Sequence, residues 1–162
     1  MKKLKVYLDT SIVSFLYADD EPEKKALTVE FFESYLEKYD VAISQVVTLE
    51  LGKTNDMELR EQLLGAVKKY SLPMIVLAAS EDDEVSVLAD EYLRAGVIPA
   101  SKPEDALHLA IASVLEYDVL LSWNFRHLAN IRKQVQVNAV NTGAGYLHPL
   151  SLLSPMEVMY AE

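Results

Sequence analysis

A chain of 162 residues, 51% hydrophobic and 25% charged, is long enough to bury a sizeable core and too apolar to be disordered. It contains no cysteine, which excludes disulfides, thiolate metal sites and cysteine nucleophiles and fits a reducing cytoplasm. A net charge of -10 argues against broad, nonspecific adhesion to phosphate backbones, although acids that hold a divalent cation present a positive ion and reverse the local sign.

The start, MKKLKVYLDTSIVSFLY, offers a basic stretch and an apolar one, but Asp9 interrupts the apolar part and no A-x-A cleavage site follows, so a secretory leader is not expected. No apolar run approaches the roughly 18 residues of a membrane span. Val6, Tyr7 and Leu8 suit a buried strand, Asp9 ends it, and Thr10 and Ser11 stand where a helix begins. An acid at the carboxyl end of a strand is where open α/β sheets bind ligands, though Asp is also a preferred N-cap.

Glu23 to Tyr39 has helical spacing through Leu27, Phe31, Phe32, Tyr35 and Leu36. Val41 to Ile43 then predicts a strand closed by Ser44, with a helix over Gln45 to Lys53. Thr54 to Asp56 breaks the chain before a helix over 57–70, and Leu72 to Ala78 (LPMIVLA) reads as a buried strand. Glu81 to Ala95 opens on EDDE, favourable to a helix dipole, and stops at Gly96.

Ser101-Lys102-Pro103-Glu104 has the form of a capping box ahead of an apolar helix over Asp105 to Glu116. Val119 to Ser122 predicts another strand, Phe125 to Val135 helical spacing, Leu150 to Leu153 a last strand, and Ser154-Pro155 a short helix. Strand and helix alternate with no repeat or linker. The expectation is one domain over residues 1–162, three-layer α/β/α with a mainly parallel sheet.

Several acids sit beside predicted strand ends or in apolar helices. Glu50 is the one acid among Val46, Val47, Leu49 and Leu51, where an unpaired carboxylate is costly, and Lys53 is its evident local partner. Asp105 opens the nearly all-apolar ALHLAIASVL, while Glu104 is accounted for by the capping box. At Ser122-Trp123-Asn124 a strand ends in a hydroxyl, an aromatic and an amide, of which Ser122 or Asn124 could cap the next helix. Three carboxylates together would repel one another and call for magnesium or manganese.

The ordered set of LDTS at Asp9, an isolated helical Glu50, EDALHLA at Asp105 and LLSWNF at Asn124 resembles the PIN-domain family of metal-dependent nucleases, including the VapC toxins of toxin-antitoxin pairs. The resemblance spans essentially the whole chain. It implies an endoribonuclease using Mg2+ or Mn2+, with Asp9, Glu50 and Asp105 holding the metal directly or through water. Asn124 stands where many members have a further acid, and an amide still offers an oxygen ligand. Ser122 matches a supporting Ser or Thr. It further implies an RNA substrate, a possible antitoxin partner and a possible homodimer.

Around this set, His108 is read as a buried structural histidine satisfied by one partner. Arg126 and His127 could reach substrate phosphate, and Trp123 could stack on a base, although packing against its own turn is the commoner role. A PIN-like binding module with little catalysis is the alternative, favoured by Asn124 and the acidic charge. An aspartyl-phosphate enzyme using Asp9 is weaker, since LDTS lacks the second Asp of D-x-D-x-T.

Overall fold

The computed structural model describes residues 2–160. Its centre is a four-stranded parallel sheet of β1 (Lys5–Leu8), β2 (Asp40–Ala42), β3 (Val119–Leu121) and β4 (Ser151–Leu153), in the order β2-β1-β3-β4. Tyr7 lies opposite both Ala42 and Leu120, so β1 is flanked on each side. Side chains of a strand alternate between faces. Val6 and Leu8 accordingly enter one core and Tyr7 the other, which is why three consecutive apolar residues are needed here.

The first core is closed by α1 (Thr10–Ser14), α3 (Gln45–Gly52), α4 (Met57–Lys69) and α8 (Pro155–Met159), together with Phe31 and Phe32 at the end of α2 (Pro22–Glu30). The second is closed by α5 (Ala79–Arg94), α6 (Pro103–Val114) and α7 (Ile131–Gly143). Helices on both faces of a parallel sheet give the expected three-layer α/β/α arrangement. From β1 the chain steps to β2 on one side, then crosses to β3 on the other. The crevice between the carboxyl ends of β1 and β3 is thus the topological switch point, where such sheets bind ligands.

Three local expectations are corrected and one is refined. Leu72 to Ala78 is not a buried strand: it touches the sheet through one bridge, Ile43 to Met74, and is mostly exposed. Phe125 to Ala129 forms turns, and α7 begins only at Ile131, where the Asn130 side chain accepts from Lys133 N–H. The helix expected over 23–39 is present through Lys38 but changes pitch: α2 gives way at Glu30 to a π-helical turn, Phe31–Tyr35, that carries Phe31 and Phe32 inward, and then to a 3-10 turn, Leu36–Lys38. Finally, Ser101 forms no capping box; Lys102 is the N-cap residue of α6 with Pro103 next, and Glu104 instead meets Lys53 at 4.0 Å. Among the described residues, no helix is long and apolar enough to cross a membrane.

Candidate active site

Asp9 follows the last residue of β1, and its N–H donates to the carbonyl of Leu121 at 3.2 Å, so it sits beside the end of β3. It occupies the N-cap position of α1 but makes no side-chain capping bond. Its carboxylate accepts instead from Ser11 Oγ and Ser122 Oγ, both at 2.5 Å. Ser11 Oγ also accepts from Trp123 N–H, and Ser122 Oγ from Asn124 N–H. Two hydroxyls therefore tie the start of α1 to the turn after β3 and fix the orientation of a 4% exposed carboxylate. Burial pushes Asp9 above the ordinary carboxylate range, against the pull of His108 and the two hydroxyls.

Glu50 comes from the exposed-to-buried boundary of α3, and its partner is not Lys53. Its Oε1 accepts from Thr10 Oγ1 at 2.6 Å and meets His108 Nε2 at 2.7 Å. A carboxylate only accepts, so Nε2 carries the hydrogen and, in the neutral ring, Nδ1 is left to accept from the Tyr7 hydroxyl at 2.6 Å. Tyr7 is in turn bonded to Ser44 Oγ at 2.7 Å. Burial raises the Glu50 carboxyl, but His108 and Thr10 outweigh it and leave the group below its usual value. Burial also drives the Tyr7 phenol far up, so it stays a hydroxyl.

Asp105, in the first turn of α6, is pushed up to about 6: burial is the largest cause, and the neighbouring charges of Asp9 and Glu50 add to it against His108 and Lys102. Asn124 donates Nδ2–H to Asp105 Oδ2 at 3.4 Å while its Oδ1 accepts from His127 N–H at 3.0 Å. In this arrangement the amide offers Asp105 a donor, and it would have to turn over to offer an oxygen. Asp9, Glu50, Asp105, Ser122 and Asn124 thus belong to one patch, connected through Thr10, Ser11 and His108.

Among the described residues, no three His, Cys, Asp or Glu side chains form a cluster that could hold a metal ion as they stand, Glu50 being turned toward His108. The donor set nevertheless fits a hard divalent cation: three carboxylates, of which Asp9 and Glu50 lie close enough to Asp105 to raise its cost of ionisation, with no thiolate and one imidazole already engaged.

Of the two roles open to Trp123, the structure gives it the commoner one, packing within its own turn. Trp123 is 3% exposed, with Nε1 donating to Thr28 Oγ1 at 2.8 Å, so its face is closed to a base. Phe125, packed edge-on against it, is 41% exposed beside Lys24. His127 is held below its ordinary value by partial burial and by Arg126, Lys133 and Lys102, so that in an acidic protein a group of cations gathers around His127, and Lys102 among them also acts on Asp105.

Tyr7, Thr10, Ser11 and Ser44, which the sequence marks only as strand and helix-start residues, also belong to the site. Tyr7 carried the one usable signal, since a phenol in a buried strand needs a polar partner. No model of a protein family matches the chain, and no curated protein does. The structure is similar to a chain in the crystal structure of VapBC2 from Rickettsia felis bound to a DNA fragment from their promoter, at 17% identity and a TM-score of 0.53 over 76% of this chain and 90% of that one. At that identity the likeness establishes the fold, which is PIN-like.

Proposed function

We propose that the chain is a metal-dependent endoribonuclease, acting as the toxin of a toxin-antitoxin pair. The observation that carries this reading is the grouping of Asp9, Glu50 and Asp105 at the topological switch point, with Asp105 pushed up to about 6 by burial and by the other two acids. On this reading Asp9, Asp105 and Glu50 hold Mg2+ or Mn2+, and Asn124 supports Asp105 or, turned over, adds an oxygen. When bound, the ion lowers the pKa of a water and offsets charge on the phosphorus oxygens.

The remaining work belongs to the chain's own groups. Ser11 and Ser122 hold the Asp9 oxygens in one direction, while Thr10 and His108 hold Glu50. Lys102, Arg126 and Lys133 supply the positive charge that an RNA phosphate needs beside an acidic centre. A weakly catalytic binding module is the second reading. It is favoured by Asn124, which carries no charge and turns its nitrogen toward Asp105.

Cleavage of single-stranded RNA with Mn2+, Mg2+ or EDTA, in the wild type and in Asp9→Asn and Asp105→Asn, tests the two. Metal-dependent cleavage lost by about a thousandfold or more in both folded variants supports the nuclease, since several kcal/mol of transition-state stabilisation disappear with the ion. Unchanged cleavage in both, with contamination excluded, rules out this site. RNA binding without cleavage at any metal concentration selects the binding module.

A further inference from the structure

The two edges of the sheet are finished differently. At the β4 edge, α7 supplies side-chain amides to the backbone: Leu152 N–H donates to Gln134 Oε1, Leu150 N–H donates to Asn138 Oδ1, and Asn138 Nδ2–H donates to the Leu150 carbonyl, at 2.8 to 3.0 Å. At the other edge, beyond β2, Ile43 N–H donates to the Pro73 carbonyl at 2.9 Å and Ile75 N–H to the Ile43 carbonyl at 2.8 Å. In a parallel bridge of this form the N–H and C=O of Met74 point away from β2, and in extended backbone those of Val76 do too. Among the described residues neither has a backbone hydrogen-bond partner.

The side chains are as bare as the backbone. Met74 is 42% and Val76 87% exposed. Beside them runs a groove of about 790 Å3 whose apolar lining includes Val46, Ile75, Leu77, Val85 and Leu107. Edge strands are ordinarily blunted by charge, proline or cover, and here only Pro73, at the start, does so. The rim is acidic: Asp82 lines the groove, and Asp83 and Glu84 are exposed in the same turns of α5. A second copy would set a like-charged rim and a net charge of -10 against its own, which disfavours self-pairing.

We propose that residues 74–77 are a docking edge for an extended segment of a partner protein, apolar and basic in alternation, which adds as a strand outside Met74 and Val76. Main-chain bonds would give it direction, the groove would take its apolar side chains, and the acids of α5 would take its cations. The inference is independent of the nuclease reading.

The test is a titration of the isotope-labelled full chain, followed by amide NMR, with a capped heptapeptide alternating lysine and valine. Saturable binding is expected, with the largest shifts at Met74, Val76 and the first turns of α5. The same peptide N-methylated on alternate residues keeps its charges and side chains but loses donors; it should bind about tenfold more weakly, the loss of one or two hydrogen bonds. A glutamate-valine peptide should not bind. Val76→Pro, which removes one outward N–H, should weaken the lysine peptide to a similar degree; if that variant unfolds, the N-methylated peptide on wild type decides. No saturable binding at millimolar peptide, equal binding of the N-methylated form, or shifts mapping elsewhere would overturn the proposal. So would a dimer in sedimentation that Val76→Lys dissociates, because the occupant would then be a second copy.

Discussion

At the carboxyl ends of β1 and β3 the sheet buries charge, whereas along residues 73–77 it exposes hydrocarbon. Both places invert the ordinary partition of polar and apolar groups, and they do so in different ways. The acids there, one buried and two half-buried, are held: each carboxylate has at least one side-chain donor, and no buried side-chain nitrogen or oxygen among the described residues lacks a partner. The exposed edge is held on one side only, by two backbone bonds to Ile43. A polar network fixes geometry before any ligand arrives. An open edge fixes only a direction, and leaves its free side available.

The largest effect that would sharpen this contrast lies in the pH dependence of stability. Asp105 ionises near its ordinary 3.8 when unfolded and at about 6 when folded. Between these values the folded state binds more protons than the unfolded one, so stability falls as pH rises, and the loss is complete above about 6. A shift of that size corresponds to about 3 kcal/mol at most, and partial exposure reduces this to about 1 to 2 kcal/mol. Asp105→Asn should therefore match the metal-free wild type in acid and exceed it by about that amount at neutral pH. Chemical denaturation across the window measures the difference. A difference that stays flat with pH would mean that neither burial nor the charges of Asp9 and Glu50 raise Asp105.

A smaller effect is expected at Asn124. Replacing it by Asp turns a donor facing Asp105 into a second carboxylate, so the metal-free protein should lose about 1 kcal/mol of stability. Added charge should strengthen manganese binding by about 1 to 2 kcal/mol after repulsion and desolvation are set against it, or roughly tenfold. Calorimetric titration and melting give both readouts. Weaker binding together with unchanged melting would show that the side chain does not face the acids.

The same contrast explains what the sequence made legible. Leu8-Asp9-Thr10 could be read because an apolar run buried on both faces stops at a polar residue, a purely local signal. Glu50 stood out as an acid among hydrophobes, yet its partner is His108, 58 residues away, rather than the adjacent Lys53. His108 was expected to satisfy one buried partner and in fact bridges two, one of them Tyr7 at a separation of 101 residues. Leu72 to Ala78 misled because a short apolar run says that a surface should be covered, not whether this chain covers it. Ser101 failed as a cap for a local reason: the turn from Pro99 to Lys102 puts Lys102 at the N-cap position, one residue late for a capping box.

The smallest effect is the most direct test of the open edge. Val76 is 87% exposed, and its substitution by lysine removes almost no buried surface, leaves the two bonds to Ile43 in place and sets a cation near the acids of α5. Substitutions at such positions ordinarily change stability by no more than about 0.5 kcal/mol in either direction. Val76→Lys should therefore melt with the wild type while repelling the lysine-valine peptide, a separation of folding from docking that no buried position could give. The acid site behaves in the opposite way, because Asp105→Asn changes stability through burial and charge. If Val76→Lys instead cost more than about 1 kcal/mol, the side chain would have to be packed in the folded protein, the edge would be closed, and the contrast between a finished centre and an unfinished margin would fail.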